Sequence, residues 1–381
     1  MKVNSIPQAR RSQLSSEGQP LTPKTYPGRP IADYEATDSV HLHSLAEELA
    51  PELVSAIYTK MGSKVQKSTA GFQGPRSGFS DKNLVWLRDF SPLFVQKEDK
   101  IEARKFLSEN PVRQSYTGGK SIPVTPPTEE HQFIGPPGKE AFIRVEETPL
   151  LIDGGDLVPV GETLVVGERV FQRNEIERTE KHLLQAGYKQ RSREEVTQVL
   201  QESTGADQVV SIPWWPGDKT GHADMPVQSL NEGEVMVPNI PNRALDVLGY
   251  HHEKEHGAKV QNYLNGVANT LEQAGLEVHR LPMMAPVELS EGPHGWDAKS
   301  YTPANAYRGD TFICLPSFQD EQYPQEYRDT KESFEGQWKE FYEARGLEVE
   351  ILDGTKAGRA NGLFHCLTSG VPSVRNDDSN L

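Results

Sequence analysis

The chain has 381 residues, enough for a large core, and its 40 basic and 55 acidic side chains give a formal net charge of −15. This balance disfavours nucleic acid and anionic membrane surfaces as partners and suits a cationic substrate. Two cysteines cannot form a disulfide framework, and residues 1–30 contain no apolar run long enough for a signal peptide or a membrane span, so we expect a cytoplasmic protein.

The first 37 residues are polar and predict a flexible N-terminal arm, followed by a single domain over residues 38–381. Asp38 is a good N-cap residue and predicts the start of a helix, which Pro51 should kink or split. The apolar residues at helical spacing in this segment are Leu42, Leu45, Leu49, Leu53 and Ile57.

The rest of the chain alternates predicted strands and helices, without the long βαβ rhythm of a doubly wound sheet and without a visible sequence repeat. A long loop is predicted at 110–140, which is rich in Pro, Gly and Thr. Strands are predicted at 84–95, 142–145, 150–152, 163–166, 209–212, 276–281, 312–315 and 347–352. Helices are predicted at 176–186, 193–202, 252–274 and 331–344.

Three acid-rich segments lie far upstream of Cys366, which is close to the C-terminal end. They cover residues 86–89, 153–156 and 221–224. Together with Cys366 they supply a thiol, an imidazole and several carboxylates, the set needed for thiolate attack on a guanidinium carbon. Each of these residues also has an ordinary structural interpretation. A lone cysteine is usually buried and inert, and carboxylates often form ion pairs or helix caps.

Binding and attacking a planar cation require acceptors and a nucleophile. Asp89 and Asp224 are the candidate acceptors, because a carboxylate can receive paired N–H bonds from a guanidinium group. Cys366 is the candidate nucleophile, and a nearby positive charge would favour its thiolate. Cys314 lies inside an apolar run and is expected to be structural.

Proton transfer requires a group that titrates near neutrality, and His222 is the candidate acid and base. Asp153 could orient and polarise His222. His365 competes for the same role because it adjoins Cys366, but on a strand it would point away from the thiol. Gly154 and Gly155 would let the backbone approach a ligand, although paired glycines are more often a simple turn.

These segments resemble those of the agmatine deiminases and bacterial-type peptidylarginine deiminases, members of the guanidino-group-modifying superfamily. The matching segments occur in the same order, at 86–92, 153–156, 217–224 and 365–368. The resemblance covers most of the chain and implies an α/β fold, a five-bladed, pentein-like α/β propeller of pseudo-fivefold ββαβ repeats with the site at its centre. It implies Cys366 as nucleophile, His222 as general acid and base, and Asp89 and Asp224 as guanidinium ligands.

The resemblance also implies a hydrolase that converts the guanidino group of agmatine, arginine or peptidyl-arginine to a ureido group and ammonia through a Cys-linked thiouronium intermediate. Trp86 and Asp156 complete the predicted substrate-binding residues. No cofactor and no metal are expected. The oligomeric state is left undecided, with a homo-oligomer as one alternative. Asp153 falls where the family usually has a longer glutamate. Met225 and Gly309 replace asparagines of the agmatine deiminases, so the substrate itself stays open.

Three other functions compete with a deiminase. An amidinotransferase would use the same scaffold, with an amine in place of water in the second step. A zinc peptidase would use the segment 252–256, which matches the H-E-x-x-H pattern and in which His252 and His256 would bind zinc with Glu253 as base. A charged helix start is the more ordinary interpretation of this segment. A non-catalytic binding propeller is the third, although such a protein has no need of a thiol beside these acids.

Overall fold

The computed structural model describes residues 28–43, 45–68, 86–98, 100–107, 116–117, 120–121, 131–133, 141–218, 220–292 and 295–372. Most of the predicted loop at 110–140 lies outside these residues. Within the described ranges, no helix combines the length and the apolar character that crossing a membrane requires.

The described strands are mostly short and are spread over the whole chain. They are β1 (Arg29–Pro30), β2 (Thr37–His43), β3 (Val65–Ser68), β4 (Leu93–Lys97), β5 (Lys100–Leu107), β6 (Tyr116–Thr117), β7 (Lys120–Ser121), β8 (His131–Phe133), β9 (Ala141–Leu151), β10 (Leu157–Val160), β11 (Thr163–Gly167), β12 (Gln208–Ile212), β13 (Gln228–Asn231), β14 (Glu234–Asn239), β15 (Glu277–Pro282), β16 (Val287–Gly292), β17 (Gly295–Lys299), β18 (Tyr307–Arg308), β19 (Phe312–Ser317), β20 (Glu348–Asp353) and β21 (Thr368–Pro372).

The described helices include two long ones in the C-terminal half. The helices are α1 (Ala46–Leu49), α2 (Pro51–Met61), α3 (Glu168–Asn174), α4 (Lys181–Gln185), α5 (Arg193–Thr204), α6 (Asn242–Asp246), α7 (His251–Gln273), α8 (Gln325–Glu343) and α9 (Thr355–Arg359).

The same three-strand unit occurs in five sheets: its first strand is antiparallel to the second, which is parallel to the third. The units are β21-β2-β3, β4-β5-β9, β10-β11-β12, β13-β14-β15 and β18-β19-β20. A parallel pair needs a crossover connection, which helices provide in four of the units, while most of the connection from β5 to β9 lies outside the described residues. The mixed α/β fold therefore repeats in topology, although the sequence shows no repeat.

The largest apolar core lies between the sheets of the C-terminal half and the two long helices. Helix α7 contributes the buried residues Val260, Leu264, Val267 and Leu271, which recur at helical spacing. Helix α8 contributes Phe334, Trp338 and Tyr342 to the same core. A second core packs α2 against β2 and β19, and includes Cys314. These cores lie beneath the sheets and hold their strand ends in place.

The N-terminal helix predicted from Asp38 is wrong at its start, because residues 37–43 form the strand β2. This strand pairs with β21 on one side and β3 on the other, and Val40 is fully buried between them. Pairing with distant strands therefore overrides the helical spacing of the leucines. The prediction for Pro51 is confirmed, since α1 ends at Leu49 and α2 begins at the proline.

Residues 28–37, which were expected to belong to a flexible arm, are packed instead; residues 1–27 lie outside the described part. Strand β1 pairs with β4, and the Arg29 guanidinium donates to both carboxylate oxygens of Glu35 at 2.7 and 2.6 Å. Asp33 pairs with Arg88. The polar composition of this segment reflects ion pairs with the rest of the fold and does not reflect an absence of structure.

Most other predicted elements are confirmed within a few residues, including α5, α7, α8 and the strands β11, β12, β15, β19 and β20. Three differences remain. The segment 84–95 divides into a 3₁₀ turn, Leu87–Phe90, and the strand β4, with residues 84–85 outside the described part. The predicted helix at 176–186 shortens to α4, and the strands predicted at 142–145 and 150–152 are one strand, β9.

The strand β2 joins the N- and C-terminal parts of the described chain, and this role can be tested by stability. We expect Leu42→Ala to lower the free energy of unfolding by about 2–5 kcal/mol, because it opens a cavity in the second core. Leu184→Ala is the matched control, since Leu184 is 51% exposed, and should change stability by less than about 0.5 kcal/mol. Urea unfolding of the two variants would measure both values, and equal stability would contradict this role of β2.

Candidate active site

The candidate site residues lie in turns that come directly before the first strand of different sheets. Asp89 is in the turn before β4, Asp153 begins the turn before β10, and His222 and Asp224 precede β13. Cys366 lies in the turn before β21. Residues more than 270 positions apart in the sequence therefore occupy equivalent places in the repeated unit.

Hydrogen bonds link these turns in series. The Arg88 amide donates to the Cys366 carbonyl, and the His365 amide donates to the Asn305 carbonyl, both at 3.2 Å. The Asn305 side chain donates to the Asp224 carbonyl at 3.4 Å, and the Asp224 amide donates to the Gly155 carbonyl at 3.1 Å. A close packing contact completes the series, because Gly154 lies against Arg88. A β-carbon at Gly154 would lie 2.0 Å from the Arg88 carbonyl oxygen.

The Cys366 thiol is 5% exposed and lies beside Asn305, whose side-chain oxygen is 3.4 Å from both the Cys366 amide nitrogen and Sγ. Burial and the nearby Asp224 carboxylate raise the pKa of Cys366 to about 11, although His222 opposes this rise. The resting group is therefore the thiol. The sequence analysis did not single out Asn305. It lies in the turn before β18, which is equivalent to the turns that hold the other site residues.

His222 is also buried, and it lies between two carboxylates. Its Nδ1 atom is 3.9 Å from Asp89 Oδ1, and its Nε2 atom is 3.8 Å from Asp153 Oδ2. Burial alone would lower the pKa of His222, but Asp153, Cys366 and Asp89 together raise it well above the usual range. The imidazole is therefore protonated at neutral pH and can donate a proton.

Gly155 sets the position of the His222 ring. A β-carbon at Gly155 would lie 2.5 Å from His222 Nδ1, closer than any real contact allows. Gly155 is therefore required for the close approach of this turn to the imidazole, whereas the sequence suggested either an approach to a ligand or a simple turn.

Asp153 is held mainly by arginines of α3. Arg169 and Arg173 both donate to its Oδ2 atom, Arg173 at 3.1 Å, and Arg169 also donates to the Thr220 carbonyl. Burial opposes ionisation of Asp153, but its contacts with His222 and the two arginines hold the pKa of this carboxyl well below its usual range. The sequence signal for this clamp is the i, i+4 spacing of the arginines, which sequence reasoning did not use.

Asp156 belongs to the turn itself more than to the surface that faces Cys366. Its Oδ2 atom accepts from the Asp153 amide at 2.9 Å in a capping arrangement, and its Oδ1 atom is 3.3 Å from Arg169 Nε. Burial raises the pKa of this carboxyl. The prediction of Asp156 as a substrate-binding residue gains no support from these contacts.

Asp153, Asp156 and His222 are close enough together to hold a metal ion. The guanidinium groups of Arg169 and Arg173 already supply positive charge to both carboxylates, so the donor set does not require a metal. The zinc pair predicted at 252–256 has no third His, Cys, Asp or Glu within ligand distance in the described part of the chain. Glu253 instead accepts from the Tyr250 amide at the start of α7.

Asp224 and His365 form a contact that the sequence did not predict. His365 Nδ1 lies 2.7 Å from Asp224 Oδ2, and its Nε2 atom lies 3.0 Å from Asp33 Oδ2. The His365 imidazole therefore contacts two carboxylates. The sequence predicted that His365 on a strand would point away from the thiol, but His365 lies in a turn. The other Asp224 oxygen, Oδ1, is buried and has no hydrogen-bond partner among the described residues.

The structure also shows where Trp86 and Cys314 lie. The Trp86 ring packs over Gly362, where a β-carbon would lie 2.3 Å from the ring, so this tryptophan touches the segment that leads to Cys366. Cys314 is fully buried in β19, as predicted for a structural cysteine, and burial raises its pKa to about 12. Both cysteines are free thiols, so Cys366 is not held in a disulfide.

The raised pKa of Cys366 can be tested by alkylation. Because the thiolate is the reactive form, we expect iodoacetamide to react at pH 8 at about a thousandth of its limiting rate, rising about tenfold per pH unit to a half-maximum near pH 11. Mass spectrometry would follow the Cys366 adduct, with Cys366→Ala as the control for reaction at Cys314. A rate that levels off below pH 8 would contradict this assignment.

A family profile and two solved structures place the chain among known proteins. The profile for Porphyromonas-type peptidyl-arginine deiminases matches residues 79–372, more than half of the chain. The agmatine deiminase of Enterococcus faecalis aligns with 15% identity over 91% of this chain and 96% of that one, at a TM-score of 0.58. The C. jejuni agmatine deiminase aligns with 12% identity over 91% and 97%, at a TM-score of 0.56.

At these identities the solved structures establish the shared mixed α/β fold, while the profile match establishes the family and confirms the resemblance found in the sequence. No curated protein sequence gives a significant match. The chain belongs to the Porphyromonas-type peptidyl-arginine deiminase family.

Proposed function

We propose that this protein is a cofactor-free guanidine deiminase that converts a guanidino group to a ureido group and ammonia. The observation that carries the proposal is the meeting of a buried thiol, a buried imidazole and carboxylates from separate sheets at one place. A cationic substrate fits this site, because Asp224 Oδ1 is a buried acceptor that has no partner among the described residues. Cys366 is the nucleophile, and Asp89 and Asp224 bind the guanidinium.

The proposed reaction begins when the substrate cation enters beside Cys366. The positive charge stabilises the thiolate, so the thiol proton leaves to solvent as the substrate binds. The sulfur then bonds to the guanidinium carbon, protonated His222 gives its proton to one nitrogen, and ammonia departs. The product of this step is a thiouronium linked to Cys366.

Hydrolysis of the thiouronium uses the same histidine in its neutral form. His222 takes a proton from water as the oxygen bonds to the carbon, the carbon–sulfur bond breaks, and the ureido product leaves. The Cys366 thiolate then recovers its proton. Asp153 stabilises the positive charge on His222, and the arginine clamp keeps this carboxylate ionised.

We propose further that the five repeated sheets are blades of one α/β propeller around this site, in a single catalytic unit that includes residues 28–37. The series of hydrogen bonds between the turns supports this arrangement, since it passes through all five units. The cytoplasmic location expected from the sequence stays a prediction.

The nucleophile can be tested with a matched cysteine pair. We expect Cys366→Ala to reduce guanidine turnover by about 10³-fold or more, whereas Cys314→Ala should retain it, because Cys314 lies in the core of β19. The assay measures ammonia and ureido product together with agmatine, arginine and an arginine-containing peptide. The solved C. jejuni enzyme, of which a cysteine-to-serine variant has substrate bound, makes agmatine a natural first choice.

Retention of full activity in Cys366→Ala would overturn the proposal. Equal amounts of ammonia and ureido product identify hydrolysis. Formation of a new guanidine from an added amine would identify an amidinotransferase instead.

The position of His222 can be tested through Gly155. We expect Gly155→Ala to lower kcat about 100-fold, because the added methyl group displaces the imidazole from its place beside Cys366 and Asp153. Gly266→Ala is the control, since Gly266 lies in α7 with open space where a β-carbon would be. Unchanged kcat in Gly155→Ala would show that His222 is not the proton-transfer group.

A further inference from the structure

His365 is placed between two carboxylates with little exposure to solvent. Its two ring nitrogens lie 2.7 Å from Asp224 Oδ2 and 3.0 Å from Asp33 Oδ2, and the residue is 8% exposed. An ionised carboxylate can only accept hydrogen bonds, so both nitrogens must donate. This geometry requires the imidazolium form of His365.

Asp33 is fixed from its other side by Arg88. The guanidinium donates to both oxygens of Asp33, at 3.0 and 3.1 Å. Partial burial opposes ionisation of Asp33, but Arg88 and His365 hold the pKa of this carboxyl well below its usual range. A series of alternating charges therefore runs from Arg88 through Asp33 and His365 to Asp224.

Two members of this series adjoin residues of the proposed reaction. Arg88 precedes Asp89, and His365 precedes Cys366, while the Arg88 amide donates to the Cys366 carbonyl. Asp224 receives the last contact through Oδ2 and keeps Oδ1 without a partner among the described residues. The contact with His365 thus decides which oxygen of Asp224 remains available.

We propose that Asp33 is a positioning residue of the guanidinium site, which acts through protonated His365 to fix Asp224 and leave its Oδ1 atom for the substrate. This inference rests on the proposed function. It gives the N-terminal segment, whose polar composition is typical of an arm, a direct effect on substrate binding. Asp33 itself need not touch the substrate.

The surroundings of His365 explain why Asp33 should matter. Burial and Arg88 lower the pKa of His365, whereas Asp33 and Asp224 raise it, and the net effect is a rise. Tyr307 and Arg308 line the same cavity and add no negative charge at neutral pH, while Glu35, which also lines it, is paired with Arg29. Loss of the Asp33 charge would therefore favour neutral His365, whose remaining N–H makes a weaker hydrogen bond to Asp224 than the imidazolium does.

The test compares Asp33→Asn with Glu35→Gln. Both carboxylates lie in the same loop and each pairs with an arginine, but only Asp33 contacts His365. We expect Asp33→Asn to raise KM for the guanidine about tenfold, with a smaller change in kcat, because a charge-assisted contact that orients the binding carboxylate is lost. Glu35→Gln should leave KM within about twofold of the wild-type value.

Nitrogen NMR of the histidine rings measures the protonation of His365, which a purely structural role of Asp33 would leave unchanged. We expect the His365 ring to be doubly protonated at pH 7 in the wild type and in Glu35→Gln, and neutral in Asp33→Asn. His365→Gln identifies its signals by their loss. Asp33→Glu restores the charge and should recover part of the KM effect, which also provides a folded variant if the asparagine proves unstable.

The result that overturns the inference is a KM for Asp33→Asn equal to that of Glu35→Gln, with His365 still doubly protonated. If the wild type turns over no guanidine, the proposed function fails separately. In that case guanidinium chloride remains a probe, since it should protect Cys366 from iodoacetamide in the wild type more strongly than in Asp33→Asn. Equal protection would overturn the inference without reference to turnover.

Discussion

The burial of several carboxylates around one thiol is the constraint on which the rest of the site depends. An unpaired buried charge is costly, so each carboxylate needs a positive partner within the fold or from a ligand. Arg169 and Arg173 compensate Asp153 and Asp156, and Arg88 compensates Asp33. Asp224 receives His365 on one oxygen only. In the proposed function, a guanidinium would donate the hydrogen bond that Asp224 Oδ1 lacks among the described residues.

The sequence indicates many residues of the candidate site because the segments that carry them are short and local. The turn that holds Asp153 and the paired glycines is a short segment whose residues bond to one another, and the same is true of the turn around His222. Such segments keep their order and spacing whatever surrounds them. The sequence alone therefore indicates Cys366, His222, Asp89 and Asp224 as candidates, but it does not place them relative to one another.

The failed predictions depend on contacts between distant segments. Leucines at helical spacing predicted a helix from Asp38, yet β2 forms there because β21 and β3 supply its hydrogen-bond partners from elsewhere in the chain. Asp33 likewise looked like part of a polar arm, because nothing near it in the sequence shows that Arg88 and His365 will meet it. Asn305 was missed for the same reason: its role comes from its distance to Cys366.

The departure at Asp153 shows how neighbouring residues can offset a shorter side chain. An aspartate reaches less far than the usual glutamate of the family, and its carboxylate stops 3.8 Å from His222 Nε2, beyond a hydrogen bond. It can still act on the imidazole through charge, because burial strengthens an electrostatic contact at this distance. The ring is then held by packing against Gly155, and the arginine clamp keeps the carboxylate ionised. Orientation and electrostatics, which one glutamate could provide together, are divided here between a glycine and an Asp–Arg cluster.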